Sequence, residues 1–160
     1  MLQIKPIDHS SKRELKPFID YPFSLYRASP YWVPPLVPDE FKSFNPESHP
    51  FFLHSTAQLF LAEQDGKTVG RIAVMDNQRY NEYKQEQTAF FGFFESADDL
   101  QVSGALFEAA FQWARKRGLT RIIGPRGLIG SDSSGVLVEG FEHRAAMGLP
   151  YNFPYYDHLI

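Results

Sequence analysis

A chain of 160 residues that is 43% hydrophobic and 16% aromatic can bury a full core, which argues against disorder and for one domain spanning residues 1–160. Its formal charge of −3, with no basic face and no block of like charge, excludes the electrostatic footprint of a nucleic-acid or anionic-membrane partner. The chain has no cysteine, no signal-peptide core at its start and no apolar run of membrane-spanning length. Disulfides, thiolate catalysis and zinc–thiolate sites are thereby removed, and a soluble cytoplasmic protein is expected.

Leu2, Ile4 and Ile7 suggest a first strand. Ser11 with Glu14 has the form of a capping box, and Pro17 and Pro22 predict two short helical pieces, with Phe23, Leu25 and Tyr26 in the second. Trp32 to Pro38 reads as an extended, stiff segment, either a strap over the core or a ligand wall. A short helix is expected from Asp39 to Phe44, followed by turns at Asn45-Pro46 and His49-Pro50. Asp65-Gly66 between two β-prone runs, Ala57 to Glu63 and Thr68 to Met75, marks a hairpin. Asp76 to Glu86 reads as a loop or brief helix.

Gln87 to Phe94 is short, aromatic and apolar, a buried strand that completes an antiparallel meander with Phe91 and Phe93 on one face. Leu106, Ala109, Ala110, Trp113 and Ala114 recur at helical spacing, with Asp98 or Asp99 to cap the start and Lys116, Arg117 and Gly118 at the end. That helix, Asp99 to Arg117, leads to a second strand at Thr120 to Gly124, parallel to the first through a right-handed crossover. The stretch from Pro125 to Gly135 is rich in glycine and small polar residues, Val136 to Phe141 is apolar, and Tyr151 to Ile160 looks like a helix start with Asn152 as N-cap.

The loop after Gly124 lies where open α/β sheets place ligands. Arg126, Ser131, Asp132, Ser133 and Ser134 could form a substrate or phosphate pocket there, or simply a surface loop. The five histidines lack metal-ligand spacing, and no Gly-x-Ser-x-Gly elbow is present, so neither a metal site nor a serine hydrolase is expected.

Taken together, Trp32-Val33-Pro34-Pro35, Val69-Gly70-Arg71-Ile72, Phe91-Gly92-Phe93-Phe94-Glu95, Ile123-Gly124-Pro125, Gly135 to Phe141 and Tyr151-Asn152-x-Pro154-Tyr155-Tyr156 resemble a family of larger bacterial proteins with a GNAT-like acyltransferase fold. The resemblance implies an α/β (α+β) class: a mixed central sheet with an antiparallel meander, a crossover helix and flanking helices, here lacking its last strands. It implies transfer of an acyl group from acetyl-CoA or another acyl-CoA to an amine, without a metal, with the thioester in a splay between the two central strands. Glu95 would be the general base, and Tyr155 or Tyr156 would protonate the departing thiolate. Phe93 and Phe94 would line the cofactor, and Gln101, Ser103 and Gly104 would belong to the pyrophosphate loop. That loop departs from the family pattern at Leu106, and Glu95, Asp98 and Asp99 add negative charge nearby. Trp32, Arg126, Asp132 and Ser133 would border the substrate pocket. The alternative is a non-catalytic groove for a small apolar ligand or a partner segment. An uncovered strand at Thr120 to Gly124, carrying Ile122 and Ile123, calls for a second copy, an exchanged segment, or Val136 to Phe141 folding back, and a homodimer is expected.

Overall fold

The computed structural model describes residues 1–129 and 132–160. Alternating apolar residues set β1 (Leu2–Ile7), while fuller apolar runs make β2 (Thr56–Gln64), β3 (Lys67–Asp76) and β4 (Thr88–Ser96), which are covered on both faces. With β5 (Arg121–Ile123) they form one sheet in the order β1-β2-β3-β4-β5, antiparallel throughout except for the parallel β4–β5 pair. Asp65 and Gly66 both take positive φ, 52° and 77°, as a two-residue hairpin between β2 and β3 requires.

One face is covered by α4 (Leu100–Lys116), whose Leu106 and Ala110 pack on Ile72, Val74, Phe91 and Phe94. The other is covered by α1 (Lys12–Leu25) and α2 (Val37–Ser43), where Leu15, Phe18 and Phe44 meet Leu59, Leu61, Met75 and Phe90. The brief helix α3 (Gln78–Lys84) joins β3 to β4. Among the described residues no helix is long and apolar enough to cross a membrane.

Four local expectations are corrected. The first helix is not broken into two: α1 runs through both Pro17 and Pro22. Pro22 has no N–H to donate to the carbonyl of Phe18, four residues back. That carbonyl accepts from Arg71 Nη1 of β3 at 2.8 Å, so the sheet supplies the donor that the helix lacks. Second, α2 begins at Val37, because Pro38 is accommodated in a first helical turn.

Third, Phe91 and Phe93 lie on opposite faces, Phe91 with Phe94 toward α4 and Phe93 with Phe90 toward α1. Between the pairs Arg71↔Glu95 and Ala73↔Gly92, β4 places Phe93 and Phe94 against the single Ile72, and Phe93 takes a φ of 51°. This bulge inverts the alternation beyond it. Glu95, which two-residue spacing would put on the α4 side with Phe91, turns to the α1 side beside Arg71.

Fourth, the C-terminal helix is a 3₁₀ turn, Pro154–His158, capped by Phe153 without a side-chain hydrogen bond. Asn152 is engaged elsewhere. Its Oδ1 accepts from the Leu137 N–H at 2.7 Å and its Nδ2 donates to the Leu137 carbonyl at 3.1 Å. With its backbone tied to Asn152, the Val136 to Phe141 segment does not pair with β5. Ile123, on that strand, stays 40% exposed.

The chain leaving β5 crosses directly over Gly92, where a Cβ would stand 1.8 Å from the Arg126 carbonyl oxygen. Gly92→Ala should therefore lower the unfolding free energy by about 2 kcal/mol or more. Gly104→Ala, in the interior of α4 with no atom near the added methyl, should raise it by about 0.5–1 kcal/mol. Urea denaturation measures both, and equal effects would refute the close approach.

Candidate functional site

Pairing of β4 with β5 ends at Phe90↔Ile123, and β4 continues to Ser96 paired with β3 only. A cavity of about 520 Å³ opens there. Trp32, Val33, Pro35 and Leu36 of the extended strap form one wall and Asp39 and Glu40 of α2 another. The end of β4 contributes Phe93, Phe94 and Glu95, with Arg71 beside them on β3. Arg126, Asp132 and Ser133 close the cavity from the loop after β5, and Met147, Leu149 and Tyr156 from the C-terminal segment. A second, more open groove of about 420 Å³, beside Tyr31, Phe141 and Phe153, has Glu142 as its one carboxylate and none of the chemistry that follows.

The Glu95 carboxylate is the best-supported group in the cavity. Tyr26 and Tyr156 both donate their phenolic protons to Oε2, at 2.5 and 2.6 Å, and Arg71 Nη2 lies 3.7 Å from Oε1. Tyr156 oxygen accepts in turn from the Ser96 N–H at 3.1 Å, which leaves its own proton for Glu95. Arg71 is 6% exposed, stacks 4.9 Å from the Phe18 ring centroid and donates to the Phe18 carbonyl. Its Nε is buried without a partner. The Glu95 side chain keeps 13% of its surface, so the carboxylate is sequestered yet reachable from the cavity.

Burial pushes the Glu95 carboxyl above its ordinary range, and the Arg71 charge and the hydrogen bonds from Tyr156 and Tyr26 pull it partly back. Burial and the adjacent Glu95 charge raise both phenols far above the tyrosine range, so they remain protonated donors. The arrangement is a carboxylate whose pKa is raised by burial, fixed in orientation by two phenols and faced by one guanidinium.

Trp32, Phe93, Phe94, Glu95, Arg126, Asp132, Ser133 and Tyr156 thus share one cavity. Arg126 stacks over Phe90 at 4.5 Å, and Asp132 accepts from the Ile129 N–H at 3.0 Å. Tyr155 stands apart: its hydroxyl donates to the Ser96 carbonyl at 2.9 Å, and burial pushes its pKa up to about 12. Ser131 lies outside the described residues, and Ser134 forms a bridge with Arg126. Sequence reasoning gave no role to Arg71, Tyr26 or Glu40. A charged residue inside the apolar run of β3 was a usable signal for Arg71; Tyr26 is 69 residues from Glu95, and no local pattern joins them.

Gln101, Ser103 and Gly104 lie on α4, away from the cavity. A pyrophosphate would need free N–H groups at that helix start. Instead the Asp99 carboxylate accepts from the Gln101 N–H at 2.8 Å, and exposed Asp98 stands next to it, 3.4 Å from His158. The Ser103 hydroxyl is buried and donates to the Leu100 carbonyl at 3.3 Å. Negative charge already occupies the position, so these residues do not fit a pyrophosphate. Among the described residues no group of three or more side chains could hold a metal ion.

No protein-family profile matches the chain. It is 35% identical over 146 residues to Protein YghO of Escherichia coli (strain K12) and 38% identical over 130 residues to the Bacterial ceramide synthase of Caulobacter vibrioides. These matches cover 91% and 81% of this chain but 37% and 34% of the relatives, so the chain spans about a third of the length of the curated relatives it matches. Among solved structures, a tandem GNAT protein from the clavulanic acid biosynthesis pathway superposes with a TM-score of 0.59 at 13% identity, over 99% of this chain and 42% of that one. At that identity the likeness is one of fold. The mixed five-stranded sheet, with its antiparallel meander and its parallel strand–helix–strand unit, gives this chain the GNAT-like acyltransferase fold.

Proposed function

We propose that this domain transfers an acyl group from an activated acyl donor to an amine, with Glu95 as the proton acceptor. The observation that carries the reading is the Glu95 carboxylate, its pKa raised by burial and its position held by Tyr26, Tyr156 and Arg71, in the wall of a cavity that also presents Trp32, Val33, Leu36 and Phe93. In the reaction the amine nitrogen attacks the acyl carbon and a C–N bond forms. The bond to the donor's leaving group breaks, and its electron pair goes with that group. Glu95 takes the proton that the nitrogen must lose. Tyr26 and Tyr156 hold the carboxylate in place, and Arg71 limits how far burial raises its pKa.

A long-chain amine is the acceptor class we favour. One relative bears the name Bacterial ceramide synthase, and a ceramide is an amide that joins an acyl chain to a long-chain amine. The hydrocarbon of such an amine suits Trp32, Val33, Leu36 and Phe93. Because α4 offers no anion site, the donor is recognised by its acyl end rather than by a pyrophosphate. The same feature favours a second reading, in which the cavity binds an amine or apolar ligand without turnover.

Amide formation between a long-chain amine and an acyl thioester, followed by mass spectrometry, tests both readings. Glu95→Gln should slow turnover by roughly a hundredfold or more. Turnover by the wild type should be lost as pH falls through a pKa above the usual carboxylate range, since Glu95 must be deprotonated to act. That inflection should vanish in Glu95→Gln, and activity that survives the substitution unchanged removes Glu95 from the mechanism.

An acyl N-acetylcysteamine thioester, which lacks the nucleotide, should serve as donor with a kcat/KM within about tenfold of the matching acyl-CoA, because the nucleotide gains little from α4. A hundredfold preference for the CoA ester would show that its pyrophosphate is held after all. No product with either donor would leave the non-catalytic reading standing.

A further inference from the structure

The cavity holds a second carboxylate that the proposed reaction does not use. Glu40 projects from the first turn of α2 into the same space as Glu95. Its neighbours are already engaged: Asp39 pairs with Lys42 at 3.4 Å, Asp132 accepts from the Ile129 N–H, and Arg71 is shared between Glu95 and the Phe18 carbonyl. Among the described residues no hydrogen bond or ion pair reaches the Glu40 carboxylate.

The cavity wall carries four carboxylates, of Asp39, Glu40, Glu95 and Asp132, against the two guanidiniums of Arg71 and Arg126. With Asp39 paired to Lys42, three carboxylates still face two guanidiniums, an excess that suits a cationic ligand group. A half-buried carboxylate without a protein partner, beside Trp32, Val33 and Leu36, suits a cationic group carried on apolar substituents.

We propose that Glu40 binds the ammonium group of the acceptor amine, so that the cavity selects a cationic, hydrocarbon-bearing amine over a neutral ligand of the same shape. This rests on the acyl-transfer reading for the site's purpose, but it concerns binding alone. Burial raises the pKa of Glu40, with Arg71 pulling it back and Asp132 and Asp39 adding to the rise, and an incoming ammonium would offset that penalty.

The experiment is calorimetric titration of the purified protein with n-octylamine and with 1-octanol, which match in length and differ in charge. Wild type should bind the amine at least tenfold more tightly than the alcohol. In Glu40→Gln the amine should fall to the level of the alcohol while the alcohol is unchanged. Glu40→Asp, which keeps the charge, should keep the preference, and thermal unfolding of each variant confirms that it is folded.

Equal amine affinity in wild type and Glu40→Gln would overturn the proposal, as would equal loss in Glu40→Gln and Glu40→Asp. Failure of octylamine to bind wild type would overturn it too. None of these outcomes touches the role of Glu95, which stands or falls on amide formation.

Discussion

Arg71 is the charge on which the rest of the site depends. A guanidinium on a central strand, 6% exposed, needs partners for its donors, and two unrelated features provide them. Pro22 leaves the Phe18 carbonyl of α1 unoccupied, and Arg71 fills it. The bulge in β4 then brings Glu95 opposite, 3.7 Å away. Removing one member of such a pair leaves the other buried and uncompensated, at a cost of about 3–5 kcal/mol. Glu95 is therefore constrained by the packing of α1 on the sheet as well as by its own strand.

The bulge decides which side of the sheet carries Glu95. Regular alternation would have pointed Glu95 at α4, into the aliphatic layer of Leu106 and Ala110. One extra residue sends it to the α1 face, where Tyr26 waits at the end of α1 and Tyr156 reaches around from the C-terminal segment. Phe93 pays for this with a positive φ that costs of order 1 kcal/mol in a residue bearing a Cβ. Its ring is held in that conformation by Phe44, 4.7 Å away. Strain at this position and the accessibility of a basic carboxylate belong to the same local device.

The two ends of α4's neighbourhood differ in character. Near the end of β4 there is a cavity with a sequestered carboxylate and its supporting donors. At the start of α4, carboxylates occupy the ground that an anionic group would need. Polar groups converge on Glu95 at one end, while at the other the helix's own cap takes up an N–H of its first turn. Since the chain spans about a third of its curated relatives, what the remaining two-thirds of those proteins contribute to activity is a separate question.

Much of the architecture was legible in the amino-acid sequence because it depends on local signals. The Asp65-Gly66 turn, the apolar runs of β2 to β4 and the Asp99-capped crossover helix each carry their cause within a few residues, and they led to the antiparallel meander and its parallel strand–helix–strand unit. The motif Phe91 to Glu95 also drew attention to Glu95, a carboxylate that lines the cavity. Its environment was not legible, for physical reasons. A bulge adds no unusual residue type, so two-residue spacing misplaced Phe93. A proline inside a helix reads as a break unless a donor from a distant strand is known to reach the freed carbonyl. Tyr26, Arg71 and Tyr156 converge on Glu95 from three separate stretches of chain, and a helix-capping aspartate has the same local pattern whether or not it excludes an anion. Local propensity and turn chemistry determined the elements; only the tertiary structure, by bringing polar groups from distant stretches of chain around one largely buried carboxylate, decided which residues surround it.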